Sequence, residues 1–270
     1  MKFLMGSELA GFIKERQAQS VRSLSQSTNI KPKLAIIKTV DNPVIDLYVR
    51  LKQSYAKDIG AEVEVYRIKQ NEVPDLLVRL NSDKSVHGII IQLPIEDPKQ
   101  TEELVNQVAP EKDVDALGEK AQFEPATPLA ILWLLSGFNI DLVGKHVVLI
   151  GRGKLVGGPL EKMLRASGIN VTVIDSSTKN VAAVAREADV IVTATGRPAI
   201  LTSDMVKSGA VVVDAGVASE EGKTVGDVAK DVLEREDINI TPARGGVGPL
   251  TICALFENLI QAVERSKPHE

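Results

Sequence analysis

Tyr48 and Lys52 stand four positions apart in a stretch whose apolar residues recur with helical spacing, so both side chains leave one face of a helix. A tyrosine beside a lysine can hold a ring substrate and adjust proton transfer. The same spacing also describes a solvated surface lysine. Gln92 ends the apolar run Val86–Leu93, just before Leu93-Pro94. That is the carboxyl end of a strand, where α/β sheets display functional side chains. A glutamine there also serves simply to close a strand onto the next loop. Asp113 and Asp115 lie in the loop Pro110-Glu-Lys-Asp-Val-Asp115, where acidic residues are commonly solvated or act as caps.

A second constellation is rich in glycine. His146–Ile150 reads as a strand and runs into Gly151-Arg-Gly-Lys-Leu-Val-Gly157-Gly-Pro159. Strand, glycine turn and helix in that order let a pyrophosphate approach backbone N–H groups at a helix N-terminus. Position 156 is Val and the third glycine falls at 157, so the spacing is not the standard one, and a turn without a ligand reads the same way. Asp175 ends the next strand. A carboxylate there can bind a ribose 2′-hydroxyl and favour NAD, or cap the turn before the next helix. Arg152, Ser176, Ser177 and Lys179 share its neighbourhood and could hold a 2′-phosphate. Gly245-Gly-Val-Gly-Pro249 precedes the last helix, whose free N–H groups could face a ligand.

These residues require elements to position them. Lys33–Thr39, Glu62–Ile68 and Val86–Leu93 read as strands, with helices over Pro43–Ile59 and Val73–Leu80. Thr127–Phe138 reads as a buried connecting helix. Beyond it come strands at Lys145–Ile150, Asn170–Asp175, Asp189–Ala194, Ala210–Asp214 and Ile238–Thr241, and a helix from Leu250 to about Arg265. Continuous rather than alternating apolar strands suit parallel sheets covered on both faces. The expected fold is α/β with two domains and a cleft between them. Residues 1–118 form a three-layer α/β domain, and residues 119–249 a Rossmann-like dinucleotide-binding domain.

The 270 residues are 44% hydrophobic and 25% charged, which excludes collagen-like, disordered and disulfide-scaffold classes. A net charge of −4 gives no global field toward nucleic acid or an anionic membrane. Cys253 is the one cysteine, so a cysteine-ligated zinc site is excluded, and only His87, His146 and His269 are available to any metal; none is expected. No apolar run has bilayer length. A cytoplasmic, soluble protein is expected.

Together the segments resemble the bifunctional methylenetetrahydrofolate dehydrogenase/methenyltetrahydrofolate cyclohydrolase (FolD) family. The marks are Tyr48-Val-Arg-Leu-Lys52, Gly88-Ile-Ile-Ile-Gln-Leu-Pro94, Lys112-Asp-Val-Asp115 and Thr127-Pro128. They continue with Gly151-Arg152, Val156-Gly157, Pro159, Val225-Gly-Asp-Val228 and Gly245-Gly-Val-Gly-Pro249 with Thr251. The resemblance implies oxidation of 5,10-methylenetetrahydrofolate with NADP, NAD being the alternative, and then hydrolysis of the methenyl product to 10-formyltetrahydrofolate. It implies that Lys52 is the acid/base of the hydrolysis, with a pKa that partial burial would depress. It implies that Gln92 tunes Lys52, that Tyr48 orients the folate and that Asp115 binds the pterin ring. Pro94, Gly248 and Pro249 are implied to line the substrate. Gly151, Arg152, Gly153, Val156, Gly157, Asp175, Ser176, Thr195, Gly196, Val217 and Thr251 are implied to bind the cofactor. A homodimer is implied, and a last helix, about 250–266, that packs back on the first domain.

The sequence departs from the family pattern at Ile45 (usually Ser), His87 (Asp), Ala116 (Gly), Ala126 (Cys), Gly153 (Ser) and Ala243-Arg244 (Val-Pro), and Asp175 is often His. Three other readings stay open. They are an NAD-dependent enzyme performing only the dehydrogenase step, a different two-domain dehydrogenase resembling the shikimate dehydrogenases, and a non-catalytic dinucleotide-binding protein.

Overall fold

The computed structural model of the chain describes residues 2–216, 218–220 and 223–266. Strand β1 (Lys2–Phe3) and helix α1 (Gly6–Thr28) open it. There follow β2 (Lys33–Lys38), α2 (Pro43–Ile59), β3 (Glu62–Arg67), α3 (Val73–Ser82), β4 (Gly88–Ile91) and the short α4 (Thr101–Val105). Next come α5 (Ala126–Gly137), β5 (His146–Ile150), α6 (Gly157–Ala166), β6 (Asn170–Ile174), α7 (Val181–Arg186), β7 (Val190–Thr193) and β8 (Val211–Asp214). A hairpin, β9 (Ala218–Glu220) and β10 (Lys223–Val225), precedes α8 (Lys230–Leu233), β11 (Asn239–Ile240) and α9 (Val247–Arg265).

Contacts divide the chain into two compact units. One holds Gly11–Ala126 and Ile252–Glu270, the other Met1–Ala10 and Thr127–Thr251. Residues 119–126 go with the first unit because their backbone is bonded into it. Glu119 N–H donates to Asn106 Oδ1 at 2.8 Å, and Asn258 and Arg265 donate to the carbonyls of Glu124 and Gln122 at 2.9 Å. The first residues go with the second unit because β1 pairs with β11.

In the first unit β2 is the centre of a parallel sheet ordered β3-β2-β4. Leu34, Ala35, Ile36 and Ile37 are wholly buried, as a continuous apolar strand requires when both faces are covered. Below the sheet, α3 packs Val73, Leu76, Leu77 and Leu80 against Ala35, Ile37, Ile89 and Ile91. Asn42 caps α2 by accepting from Val44 N–H at 2.8 Å, Pro43 fits its first position, and Gly60 ends it at φ 84°. Residues 112–114 run beside β4: Ile89 bridges Asp113, and Ile89 N–H donates to the Lys112 carbonyl at 2.8 Å. Buried Asn258 of α9 locks that segment by donating to the Val114 carbonyl at 2.8 Å.

The second unit has a six-stranded parallel sheet ordered β1-β11-β8-β7-β5-β6. Strand order reverses at β5, which lies between β6 and β7. The turn after β5 therefore occupies the switch point, where open α/β sheets bind ligands. The last helix begins at Val247, not Leu250, so Gly248 and Pro249 are in its first turn. Glycine is poor in helix interiors, but proline is well suited to a first turn.

Candidate active site

Helix α2 and strand β4 bring Lys52 and Gln92 together. Gln92 follows the last residue of β4, and its backbone N–H donates to the Ile37 carbonyl at 2.8 Å. That bond fixes where the amide starts. Its side chain donates to the Leu93 carbonyl at 3.2 Å, which turns the amide oxygen outward. Lys52 Nζ donates to that oxygen at 2.7 Å. Burial pushes the Lys52 pKa down, and the Asp115 carboxylate only partly opposes it. Burial raises the Asp115 pKa, with Lys52 opposing. Tyr48, one helical turn before Lys52 on α2, is half-buried, and burial raises its phenol pKa. Pro94 is exposed and follows a cis peptide bond from Leu93.

The Asp115 loop is set by Asp113. Asp113 is buried, and its two oxygens accept from Gly118 N–H at 2.7 Å and Leu117 N–H at 3.4 Å. Desolvation is the largest influence on it and pushes its pKa up to about 6. Ala116 is held at φ 55°, a left-handed conformation that favours glycine. Tyr48, Lys52, Gln92 and Asp115 thus belong to one unit, and its local geometry positions each of them.

In the second unit the glycine turn is tight for a definable reason. Gly151 sits at φ 104°, where a Cβ would lie 2.8 Å from the Ala194 carbonyl oxygen. A Cβ on Gly157 would lie 2.0 Å from the Gly151 carbonyl oxygen. Around Gly153 nothing lies within 4 Å of that position, so the turn is open where a ligand would pass. Val156 is the N-cap of α6 and makes no side-chain cap bond, and within the turn Gly158 N–H donates to the Gly153 carbonyl at 3.0 Å, which folds the turn over the start of the helix. These features fit a dinucleotide pyrophosphate.

The other candidate positions divide by environment. Asp175 closes its own turn, accepting from Ser177 N–H at 2.9 Å and Ser177 Oγ at 2.6 Å. Those bonds, with Thr178 and the Arg152 charge adding, hold its carboxyl below the usual range. Ser176 is exposed beside it, and exposed Arg152 donates Nε to Glu161 at 3.0 Å. Thr195 donates both its N–H, at 2.6 Å, and its hydroxyl, at 2.9 Å, to Asp227, and Gly196 follows at φ 65°. Thr251 bonds back to the Val247 carbonyl at 3.4 Å inside α9. Val217 lies outside the described residues.

Asp227 and Glu161 are functional-site neighbours that residue type and spacing alone do not single out. Asp227 lies in Val225-Gly-Asp-Val228, whose glycine leaves room for Asp214: a Cβ on Gly226 would lie 2.0 Å from an Asp214 oxygen. Glu161 could have been noticed as the residue four before Arg165 on a helix. Among the described residues no group of three or more His, Cys, Asp or Glu side chains is placed to hold a metal ion, and no helix is long and apolar enough to cross a membrane.

Two family models match. Residues 4–115 match the tetrahydrofolate dehydrogenase/cyclohydrolase catalytic domain, and residues 125–267 match the NAD(P)-binding domain of the same family. The chain is 40% identical over 269 residues to the bifunctional protein FolD of Acholeplasma laidlawii, covering 95% of this chain and 96% of the relative. The crystal structure of a FolD methylenetetrahydrofolate dehydrogenase/cyclohydrolase from Campylobacter jejuni superimposes with a TM-score of 0.92 at 37% identity, over 99% of this chain and 100% of that one. A Trypanosoma brucei FolD solved with NADP cofactor and an inhibitor gives a TM-score of 0.91 at 29% identity, over 98% and 97%. With both halves matched in order and relatives alike over nearly their full length, the chain belongs to the tetrahydrofolate dehydrogenase/cyclohydrolase family.

Proposed function

We propose that this chain oxidises 5,10-methylenetetrahydrofolate to the 5,10-methenyl cation with NADP and then hydrolyses that cation to 10-formyltetrahydrofolate. The unit with residues 11–126 is the folate-binding catalytic domain, and the unit with residues 127–251 binds the dinucleotide. The observation that carries the reading is the Lys52–Gln92 bond beside Asp115.

Hydrolysis needs a base of moderate strength. An ordinary lysine is protonated near neutral pH, but a desolvated one holds more of its neutral amine. The Lys52 amine takes a proton from the water that attacks the methenyl bridge carbon. The tetrahedral adduct then collapses: its hydroxyl becomes the formyl carbonyl, the bond from carbon to N5 breaks, and N5 takes up a proton that the Lys52 ammonium can deliver. One proton is released overall. Gln92 accepts a Lys52 N–H, which orients the lone pair without adding charge. Asp115 accepts hydrogen bonds from pterin N–H groups, and Tyr48 orients the ring system; Pro94, Gly248 and Pro249 line the substrate.

When bound, NADP supplies the hydride acceptor for the bridge carbon. Gly151, Gly153, Val156 and Gly157 hold the pyrophosphate, and Arg152, Asp175 and Ser176 meet the adenosine ribose. Thr195, Gly196, Val217 and Thr251 complete the cofactor residues. The chain's part in this step is positioning. Two assays test the reading. One starts from 5,10-methylenetetrahydrofolate with NADP or NAD and follows reduced cofactor. The other starts from the methenyl compound and follows its enzyme-dependent loss above the spontaneous rate. Turnover in the first alone would select a monofunctional dehydrogenase.

A homodimer in the cytoplasm, free of nucleic acid and membrane, completes the proposal. Family membership supports the dimer, and a net charge of −4 supports the absence of nucleic acid. Light scattering of the purified protein would give its oligomeric state.

A further inference from the structure

Arg152 is not a free cation waiting for a phosphate. Its Nε donates to Glu161 Oε2 at 3.0 Å. The Glu161 side chain is only 12% exposed, whereas that of Arg152 is 61% exposed. Glu161 is also anchored independently of Arg152: its Oε1 accepts from Arg165 Nε at 3.0 Å, and the Arg165 fork reaches on to the Val171 carbonyl at 2.9 Å. Helix α6 therefore presents a fixed carboxylate, and Arg152 folds onto it. A second carboxylate, Asp175, lies within range of the same guanidinium, since the Arg152 charge helps keep it ionised after the Ser177 bonds. Asp175 is itself held in place by Ser177, so neither carboxylate can swing away cheaply.

We infer that Glu161 is a specificity-determining residue of the cofactor site: it holds Arg152 and discriminates against a phosphate on the ribose 2′ position. The inference rests on the reading that Arg152 meets that position. A 2′-phosphate brings close to two negative charges and is best held by two donors of one guanidinium. Here one donor already serves Glu161, and two fixed carboxylates repel the incoming charge. A neutral 2′-hydroxyl needs no cation and meets no such repulsion. NADP has to use the terminal nitrogens of Arg152 beside the Glu161 carboxylate or open the Arg152–Glu161 pair, whereas NAD leaves it intact. The pair is partly exposed and so individually weak, which makes the barrier a modest one. It shifts the balance between the two cofactors without excluding NADP.

Calorimetry with adenosine 2′,5′-bisphosphate and with 5′-AMP tests this without turnover. Glu161→Gln keeps an acceptor for Arg165 and removes the charge. It is expected to tighten the bisphosphate about tenfold relative to 5′-AMP. The ratio of kcat/KM for NADP over NAD should rise in step. Glu161→Ala is the second variant, and binding of 5′-AMP reports that each variant keeps a folded nucleotide site. If Arg152→Ala loses bisphosphate binding while both Glu161 variants leave the bisphosphate-to-AMP ratio unchanged, Glu161 has no part in discrimination and the inference is overturned. If Arg152→Ala also leaves bisphosphate binding unchanged, the placement of Arg152 is what fails, and the role of Glu161 goes with it.

Discussion

Lys52 and Gln92 are 40 positions apart in the chain, yet Nζ of one lies 2.7 Å from Oε1 of the other. The acceptor is an amide, not a carboxylate. An amide satisfies one N–H of the lysine while adding no charge, so the lowering of the lysine pKa by burial survives. A carboxylate in the same place would undo it.

That difference can be measured. Gln92→Glu places a negative charge against Lys52 and favours its ammonium form, so the Lys52 pKa rises. If the neutral amine is the working base, the rising limb of cyclohydrolase kcat/KM against pH moves to higher pH by about one unit or more. At pH 7 the rate then falls by about tenfold. Lys52→Met should abolish enzyme-dependent loss of the methenyl compound while the protein stays folded. A rising limb unmoved in Gln92→Glu would remove Lys52 from the role of base.

Asp113 links stability to pH. Its folded-state pKa of about 6 lies above the ordinary value of 3.8, so the folded protein binds its proton more tightly than the unfolded chain does. The resulting stabilisation is fully present below the unfolded value and is lost as pH rises through the folded one. A rise from 3.8 to about 6 corresponds to about 3 kcal/mol as an upper figure. Comparing the unfolding free energy of the wild type with that of Asp113→Asn at pH 4 and pH 7 isolates this group. The wild type's advantage should be larger at pH 4. An advantage that grows toward pH 7 would contradict the assignment.

Much of this is legible in the sequence. The strands were readable because β2, β4, β5 and β7 are buried on both faces and therefore continuously apolar. Gln92 and the glycine turn were readable because a parallel α/β sheet places function at strand ends. Helix α1 was not. Val21 and Leu24 are buried on it, but so is Gln17, whose amide donates to the Cys253 carbonyl and to Glu257. A polar residue in the core face breaks the apolar periodicity, and only its partners explain it: Tyr55, 38 positions away, whose hydroxyl donates to the Gln17 amide oxygen, and Cys253 and Glu257, more than 200 positions away. Spacing likewise cannot say that Ser177 donates to the Asp175 carboxylate through both its N–H and its hydroxyl. Asp227 and Glu161 act through other residues, and sequence spacing carries no signal for that.

Asp227 is wholly buried and gives one oxygen to the Thr195 N–H and hydroxyl, while the other has no hydrogen-bond partner. Asp227→Asn can keep both Thr195 bonds through its amide oxygen and turn its NH₂ toward the orphan side. Asp227→Ala leaves the Thr195 N–H without its acceptor, a loss of about 1–3 kcal/mol if that donor stays buried. The alanine variant should therefore melt at a lower temperature than the asparagine variant. Its KM for the dinucleotide should also rise about tenfold, since the Thr195–Gly196 loop loses its tether. Equal KM values in the two variants would show that the tether is structural only.

Gly157 offers the sharpest separation of the two activities. A methyl group there would sit 2.0 Å from the Gly151 carbonyl oxygen, a backbone atom that cannot rotate away. Gly157→Ala must push the glycine turn apart, displacing the N–H groups proposed to hold the pyrophosphate. Lys52, Gln92 and Asp115 belong to the other compact unit and keep their own bonds. Dehydrogenase kcat/KM should fall by about a hundredfold or more, mostly through the dinucleotide KM, as expected when binding geometry is lost. Loss of the methenyl compound in the cofactor-free assay should fall far less. Both rates are measured on one preparation, so general unfolding would lower them together, whereas a broken cofactor turn would lower the first alone.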